Sequence, residues 1–423
     1  MRYDSRFVLS YLYVIYRDIG MDKPDTKAVI DRGEDVAIMA PLQVMEGSAH
    51  RPELTELAVA LAATSAGFRR SLPDGVVRSL ADLVRAMSCY YSNLIEGHNT
   101  HPVDIERAMH NDYSDEPSKR NLQLEARAHV TVQQWIDEGG LIGKAATQEG
   151  ICEIHRRFGE LLPDELLWVE DPETGERVRV EPGELRTRDV RVADHAGVSP
   201  GALPRFLRRF DAIYGKLGKA ETIFSAAAAH HRLLWIHPFL DGNGRVARLM
   251  SYSMLRDALD TGGIWSIARG LARDQTTYKD HLRACDEARR GDLDGRGSRS
   301  EGALADFTRF FLQTCLDQIE FMDGLVQPNR LRDRISLWVE EEIRGHRLPT
   351  QAGPVLDAVL LRGELPRGDI PGLVGTGERQ ARRVVAALVD AQVLIAESSR
   401  APLRMVFPAA LAGRWMPGLF PDA

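Results

Sequence analysis

The chain of 423 residues holds only four cysteines, Cys89, Cys152, Cys285 and Cys315. They are scattered and form no Cys-x-x-Cys pair. That excludes a disulfide framework and a cysteine zinc site, and reads as buried thiols in a reducing compartment. The aromatic-rich start, Met1–Asp18, is broken by Asp4, Arg6, Arg17 and Asp18. It is too short to span a bilayer and has no signal-peptide pattern, so no membrane role is expected. Positive charge is scarce as well: 54 Lys and Arg stand against 61 Asp and Glu, a net charge of −7. No global basic field therefore directs the chain to nucleic acid or an anionic membrane. No Walker A or dinucleotide Gly-rich signature is present. Residues 291–301 superficially suggest a Ca²⁺ loop, but Arg296 and Ala303 fall on ligand positions and the template fails. What remains is a cytoplasmic protein of roughly two to three domains. Its 44% of hydrophobic residues is enough for proper cores.

The stretch that carries chemistry is His237-Pro238-Phe239-Leu240-Asp241-Gly242-Asn243-Gly244-Arg245-Val246-Ala247-Arg248. Upstream, Ile223, Phe224, Ala226 to Ala229, Leu233, Leu234 and Ile236 give a helical apolar stripe over 221–236. Pro238 ends that helix, because a residue before proline is pushed out of the helical region. Gly242 and Gly244 bracket Asn243 in a turn that can aim backbone N–H groups into one anion-binding concavity. A second helix starts near Gly244, and its N-terminus suits a phosphate. His237 can be neutral near pH 7 and accept a proton from an attacking hydroxyl. Asp241 offers a hard oxygen to Mg²⁺. Asn243 can donate to a phosphate oxygen, and Arg245 and Arg248 can hold the leaving pyrophosphate end.

This stretch resembles the signature of the Fic family, His-x-Phe-x-Asp/Glu-Gly-Asn-Gly-Arg-x-x-Arg, with every fixed position present. The resemblance implies transfer of AMP from ATP to a protein Ser, Thr or Tyr hydroxyl, including self-modification. Ser92-Asn93-Leu94-Ile95-Glu96-Gly97 is similar to the family's inhibitory motif, Ser/Thr-x-x-x-Glu-Gly/Asn, here preceding the core. Gly97 is a helix stop, and Glu96 in the last turn opposes the helix dipole, so a cation would relieve it. The resemblance supplies that cation as Arg248. Alternation around Pro172 to Gly175 and over 183–192 resembles the family's flap, a hairpin that docks a target strand by main-chain bonds. Arg186, Arg188 and Arg191 on it could favour an acidic target. Family members carry an Asn and a Tyr on the helix near the adenine. Here Asp274 stands where the Asn is common, and Tyr278 keeps the aromatic.

The expected fold is mainly α. An N-terminal segment, 1–50, precedes helices with the inhibitory motif over 51–110 and the catalytic core over 111–325. Within the first segment, Phe7–Leu12 fits a strand or a helix start. A helical linker, 326–352, leads to a small α+β domain, 353–412, whose order resembles a winged helix-turn-helix. Arg379, Arg382 and Arg383 lie on its third helix, and Arg400 in its wing. From Pro354 to Phe407 only seven Arg face six acidic residues. That balance disfavours DNA as the partner and leaves homodimerisation or target docking. Two other readings stay open: removal of AMP or use of another phosphate-containing donor, and a nucleotide-sensing DNA-binding regulator.

Overall fold

A computed structural model describes residues 29–170, 175–192 and 195–421. Phe7–Leu12 and the turn residues 172–174 lie outside these residues. The described chain is mainly α-helical. It opens with α1 (Arg51–Arg70), α2 (Asp74–Ile95), α3 (Pro102–Met109), α4 (Pro117–Asp137) and α5 (Gln148–Glu160). Two short hairpins follow: β1 (Trp168–Glu170) with β2 (Arg177–Arg179), and β3 (Arg191–Val192) with β4 (His195–Ala196). Then come α6 (Leu203–Tyr214), α7 (Lys219–Ile236), α8 (Asn243–Leu259), α9 (Ala268–Arg273), α10 (Gln275–Ala284), α11 (Glu301–Val326) and α12 (Pro328–Arg344).

Helices α7 and α8 form the centre. Ala226 to Ala229 let neighbouring helices approach closely, and α7 buries residues around its whole circumference, from Ile223 to Ile236. Burial all round marks a central helix rather than a surface one. Helix α8 buries Val246, Leu249, Met250 and Leu255, each contributing about 1.5–3 kcal/mol relative to exposure. Helices α4 and α5 pack on one side of α8, while α1, α6 and α11 pack around α7. Helix α2 lies on α4 and α9, with its C-terminal end over the start of α8.

The last part comprises α13 (Ala352–Arg362), β5 (Glu364–Leu365), α14 (Ile370–Val374), α15 (Glu378–Asp390), β6 (Leu394–Ile395), β7 (Leu403–Met405) and α16 (Ala412–Trp415). Its three strands pair in the order β5-β7-β6, all antiparallel. This part is not held by α12 alone. Arg78 of α2 pairs with Glu364 at 3.1 Å. The Tyr91 phenol donates to the Leu419 carbonyl at 2.9 Å. Within 326–352, Leu331, Ile335, Trp338 and Val339 are buried, so α12 is a packed helix. The residues before α1 also bind the core: the Pro41 carbonyl accepts from the fully buried Arg232 at 2.8 Å.

Candidate active site

The α7–α8 loop places the motif. His237 ends α7 in the left-handed region, φ 51° and ψ 63°. Its Nδ1 lies 3.2 Å from the Leu234 carbonyl, so Nδ1 carries the proton and Nε2 is left as the lone-pair nitrogen. That Nε2 is buried and has no partner among the described residues. Burial first, then the Arg186 and His195 charges, push the imidazole down to about 3, so it is neutral near pH 7. A neutral imidazole with a free Nε2 is the form a proton acceptor requires.

Gly242 follows at φ 79°, a turn conformation that favours glycine. Asn243 opens α8. Its Oδ1 accepts from Phe239 N at 3.0 Å and its Nδ2 donates to Phe239 O at 2.8 Å. Both polar atoms thus tie the loop together, and Nδ2 keeps a second N–H beyond that bond. The open anion position is the N-terminus of α8, above Gly244. The Glu96 carboxylate lies beside it: a Cβ on Gly244 would lie 2.4 Å from Glu96 Oε1.

Glu96 is the C-cap of α2, and Gly97 turns the chain away at φ 86°. Arg248 is 4% exposed and spends its donors on this helix end. Its Nε bonds Ser92 Oγ at 2.8 Å, and one terminal nitrogen bonds the Ser92 carbonyl at 3.2 Å and the Glu96 carboxylate. Burial alone would raise the Glu96 carboxyl, but Arg248 and Arg245 outweigh it and the net shift is downward. The sequence pattern thus brought Ser92, Glu96, Gly97, Gly244 and Arg248 to one place. Arg245 has a carboxylate partner that the pattern did not give, Glu125 of α4.

Asp241 is partly exposed and makes no ion pair among the described residues. Burial is the main cause that pushes its carboxyl upward, and the nearby Glu96 adds to it. A carboxylate short of positive charge beside an anion site fits a divalent cation. One such ligand suffices for Mg²⁺ when phosphates and water supply the rest. No group of three or more His, Cys, Asp or Glu able to hold a metal occurs among the described residues.

Two side chains outside the motif hold it in shape. Gly183 N donates to His155 Nδ1 at 2.8 Å, so His155 Nε2 carries the proton and donates to the Asp241 carbonyl at 3.2 Å. The same ring stacks on Phe239 at 4.0 Å. Arg186 is 4% exposed, not a surface docking charge as expected. Its guanidinium donates to the carbonyls of His237 at 2.7 Å, Arg188 at 2.8 Å and Val198 at 2.5 Å. Its main-chain N donates to Pro238 O at 2.9 Å. Arg188 pairs with Glu176 at 2.7 Å. Of the expected flap strand over 183–192, only Arg191 and Val192 are strand; the remainder is loop pinned against the motif. Val180 and Val190 pack on Leu240 and cover the motif loop.

Tyr278 of α10 reaches α7. Ser251 donates its hydroxyl to Ala247 O, so His230 Nδ1 donates to Ser251 and His230 Nε2 accepts the Tyr278 phenol at 2.7 Å. Tyr278 is 2% exposed, and its phenol also interacts with Arg248. Asp274 caps α10 through Thr277 N at 3.3 Å.

A neutral histidine, a helix N-terminus, two arginines and a partly exposed carboxylate form an arrangement whose chemistry can serve a phosphate-bearing ligand. Residues 145–255 match the model of the Fic/DOC family. The chain is 32% identical over 173 residues to a protein adenylyltransferase Fic of Nematostella vectensis, covering 40% of this chain and 37% of that one. It is 34% identical over 114 residues to a protein adenylyltransferase Fic of Drosophila grimshawi, covering 26% and 20%. The chain thus spans little more than a third of the first relative and a fifth of the second. A solved Fic family protein from Desulfovibrio desulfuricans G20 aligns over 83% of this chain and 96% of its own, at 16% identity and a TM-score of 0.47. No described helix is long and apolar enough to cross a membrane.

Proposed function

We propose that the chain is a protein adenylyltransferase that moves AMP from ATP to a Ser, Thr or Tyr hydroxyl of a target protein or of itself. Glu96, set against Arg248, holds it back. The observation that carries this reading is the Nε2 of His237, without a partner among the described residues, in the same site as the Glu96 carboxylate set against the first turn of α8. In the step, the target hydroxyl oxygen bonds the α-phosphorus as its proton passes to His237 Nε2. The bond from the α-phosphorus to the α,β-bridging oxygen breaks, and pyrophosphate leaves. Arg245 and Arg248 stabilise charge on the leaving group, and the N-terminus of α8 orients the phosphates. Mg²⁺ on Asp241 would neutralise phosphate charge. While Glu96 occupies the anion position and Arg248, the α-phosphate is held out of line, and positioning is most of the catalysis of phosphoryl-type transfer. The loop over 183–192 and its neighbouring hairpins would align the target segment.

The test is incubation of wild type, Glu96→Gly and His237→Ala with labelled ATP and Mg²⁺. Label on Glu96→Gly or on a lysate protein, absent with His237→Ala, supports the reading. Equal labelling by His237→Ala would remove it.

A further inference from the structure

The two motif arginines are held in different ways. Arg248 gives Nε and a terminal nitrogen to Ser92 and Glu96, both on the inhibitory helix end. Arg245 instead pairs through one terminal nitrogen with Glu125, which lies in the middle of α4. Glu125 is 7% exposed and Arg245 9%. The second Glu125 oxygen is fixed too, 2.7 Å from His98 Nδ1. The guanidinium of Arg245 stands over the Phe158 ring, 5.2 Å from its centroid. An aromatic ring from α5 and a carboxylate from α4 therefore set this cation from two directions. Its Nε is buried and has no partner among the described residues, while the residue lines a small pocket together with Asp241 and Gly242.

We propose that Glu125 is a positioning residue: it fixes Arg245 so that the donors it leaves free face the phosphates of the bound nucleotide. This rests on the reading of the site as a nucleotide site and adds a residue outside both motifs. An arginine has five N–H donors, so one carboxylate on one nitrogen orients the fork without exhausting it. A fork held in place before binding loses less freedom when a phosphate arrives. Arg248 is different, because the contacts that hold it come from the inhibitory helix end. Glu125 belongs to another helix, so its grip on Arg245 survives removal of the Glu96 carboxylate. Glu125 is therefore expected to support binding in the released state, the opposite sign from Glu96.

Binding to the full-length Glu96→Gly protein, measured calorimetrically, tests this without requiring AMP transfer. The probes are ATP with Mg²⁺, and adenosine, which has no phosphate. Glu125→Gln is expected to weaken ATP binding about tenfold, through lost preorganisation, and to leave adenosine binding unchanged. Glu125→Asp, which keeps the charge at shorter reach, should fall between, and serves if the glutamine variant does not fold. In an Arg245→Ala background the same Glu125 change should cost nothing further, since the effect runs through that side chain. Unchanged or tighter ATP binding by Glu125→Gln overturns the proposal, tighter binding marking Glu125 as a second lock. Equal losses with and without Arg245, or parallel losses of ATP and adenosine, overturn it as well. If Glu96→Gly binds ATP but moves no AMP, the proposed function fails while the role of Glu125 is still decided by these affinities. If it binds no ATP, both fail.

Discussion

Glu96 and Gly244 share one space. The carboxylate of Glu96 stands so close over the first turn of α8 that a Cβ on Gly244 would lie 2.4 Å from Glu96 Oε1. The N-terminus of a 17-residue helix favours an anion at that point. In this structure the protein supplies its own anion.

Glu96→Gly is therefore expected to raise self-labelling with ATP strongly, and adding Arg248→Ala should reverse the gain. The variant should also lose stability, because it leaves Arg248 as a buried cation without its carboxylate. Breaking a buried pair costs roughly 3–5 kcal/mol, and the low end applies since Ser92 keeps two of its bonds to Arg248. Urea unfolding and a labelling time course on the same samples check both. If Glu96→Gly is no more active than wild type, Glu96 is only a helix end.

His237→Ala in the Glu96→Gly background is expected to lower transfer about 10²–10⁴-fold, the usual worth of a general base. ATP affinity should change little, because the Nε2 has no partner among the described residues. A kcat near that of the parent would assign the proton to another group.

The helices that carry the site were legible from spacing alone. Helix α7 begins at Lys219 and ends at Ile236, matching the stripe over 221–236 and the stop at Pro238. Helix α15 spans Glu378–Asp390, as its inward Ala381, Val384, Val385 and Leu388 required. The sequence did not show which polar side chains turn inward. Arg186 reads as an exposed strand cation, and only the fold brings the carbonyls of His237 and Val198 to it. Glu125 and Arg245 are far apart in sequence and meet through the packing of α4 on α8. Tyr278 and His230 are also far apart in sequence, and only the fold pairs the phenol with the imidazole. Such pairings are long-range, and local periodicity holds no signal for them.

Asp241→Ala, or excess EDTA, is expected to abolish transfer by the released enzyme. The carboxyl is pushed upward by burial, with no basic residue paired to it among the described residues. A bound cation would reverse that direction, so Mg²⁺ with ATP should bring Asp241 back to the ionised form at lower pH. Metal dependence of labelling, measured from EDTA to millimolar Mg²⁺, is the check; full activity in EDTA would count against the role.

Stability is expected to fall on acidification well before the carboxylates titrate. Burial holds His129, His230 and His237 down to about 3, and His155 and His231 down to about 4. Their unfolded value is near 6.5, so below it the unfolded chain binds more protons than the native one. The contribution is complete above about pH 6.5 and is lost as pH falls toward 4, by up to about 1.4 kcal/mol per histidine per pH unit. Thermal unfolding between pH 7.5 and pH 4.5 should show a steep fall in midpoint. A flat profile would mean that these rings are protonated in the folded protein.

The final expectation concerns the segment from about 350 onward, which by sequence alone is a separable domain. Its contacts reach the inhibitory helix itself. Tyr91, one residue before Ser92, donates to the Leu419 carbonyl at 2.9 Å, and Tyr90 meets Phe420 edge-on at 5.7 Å. Arg269 of α9 donates to the Gly418 carbonyl at 2.9 Å. Trp415 is 1% exposed and packs against Trp338 of α12 at 5.2 Å. A chain ending at Arg347 would bare Tyr90, Tyr91 and Trp338 together, at about 1.5–3 kcal/mol for each large side chain uncovered. It should therefore unfold at a lower temperature than the full chain and bind a hydrophobic dye. Removing only residues 417–423 should reproduce part of the loss while leaving α13 to α15 in place. Calorimetry of the three proteins decides the matter: an unchanged midpoint for the chain ending at Arg347 would show that the C-terminal part adds nothing to the core, and that the division near residue 352 is a true domain boundary.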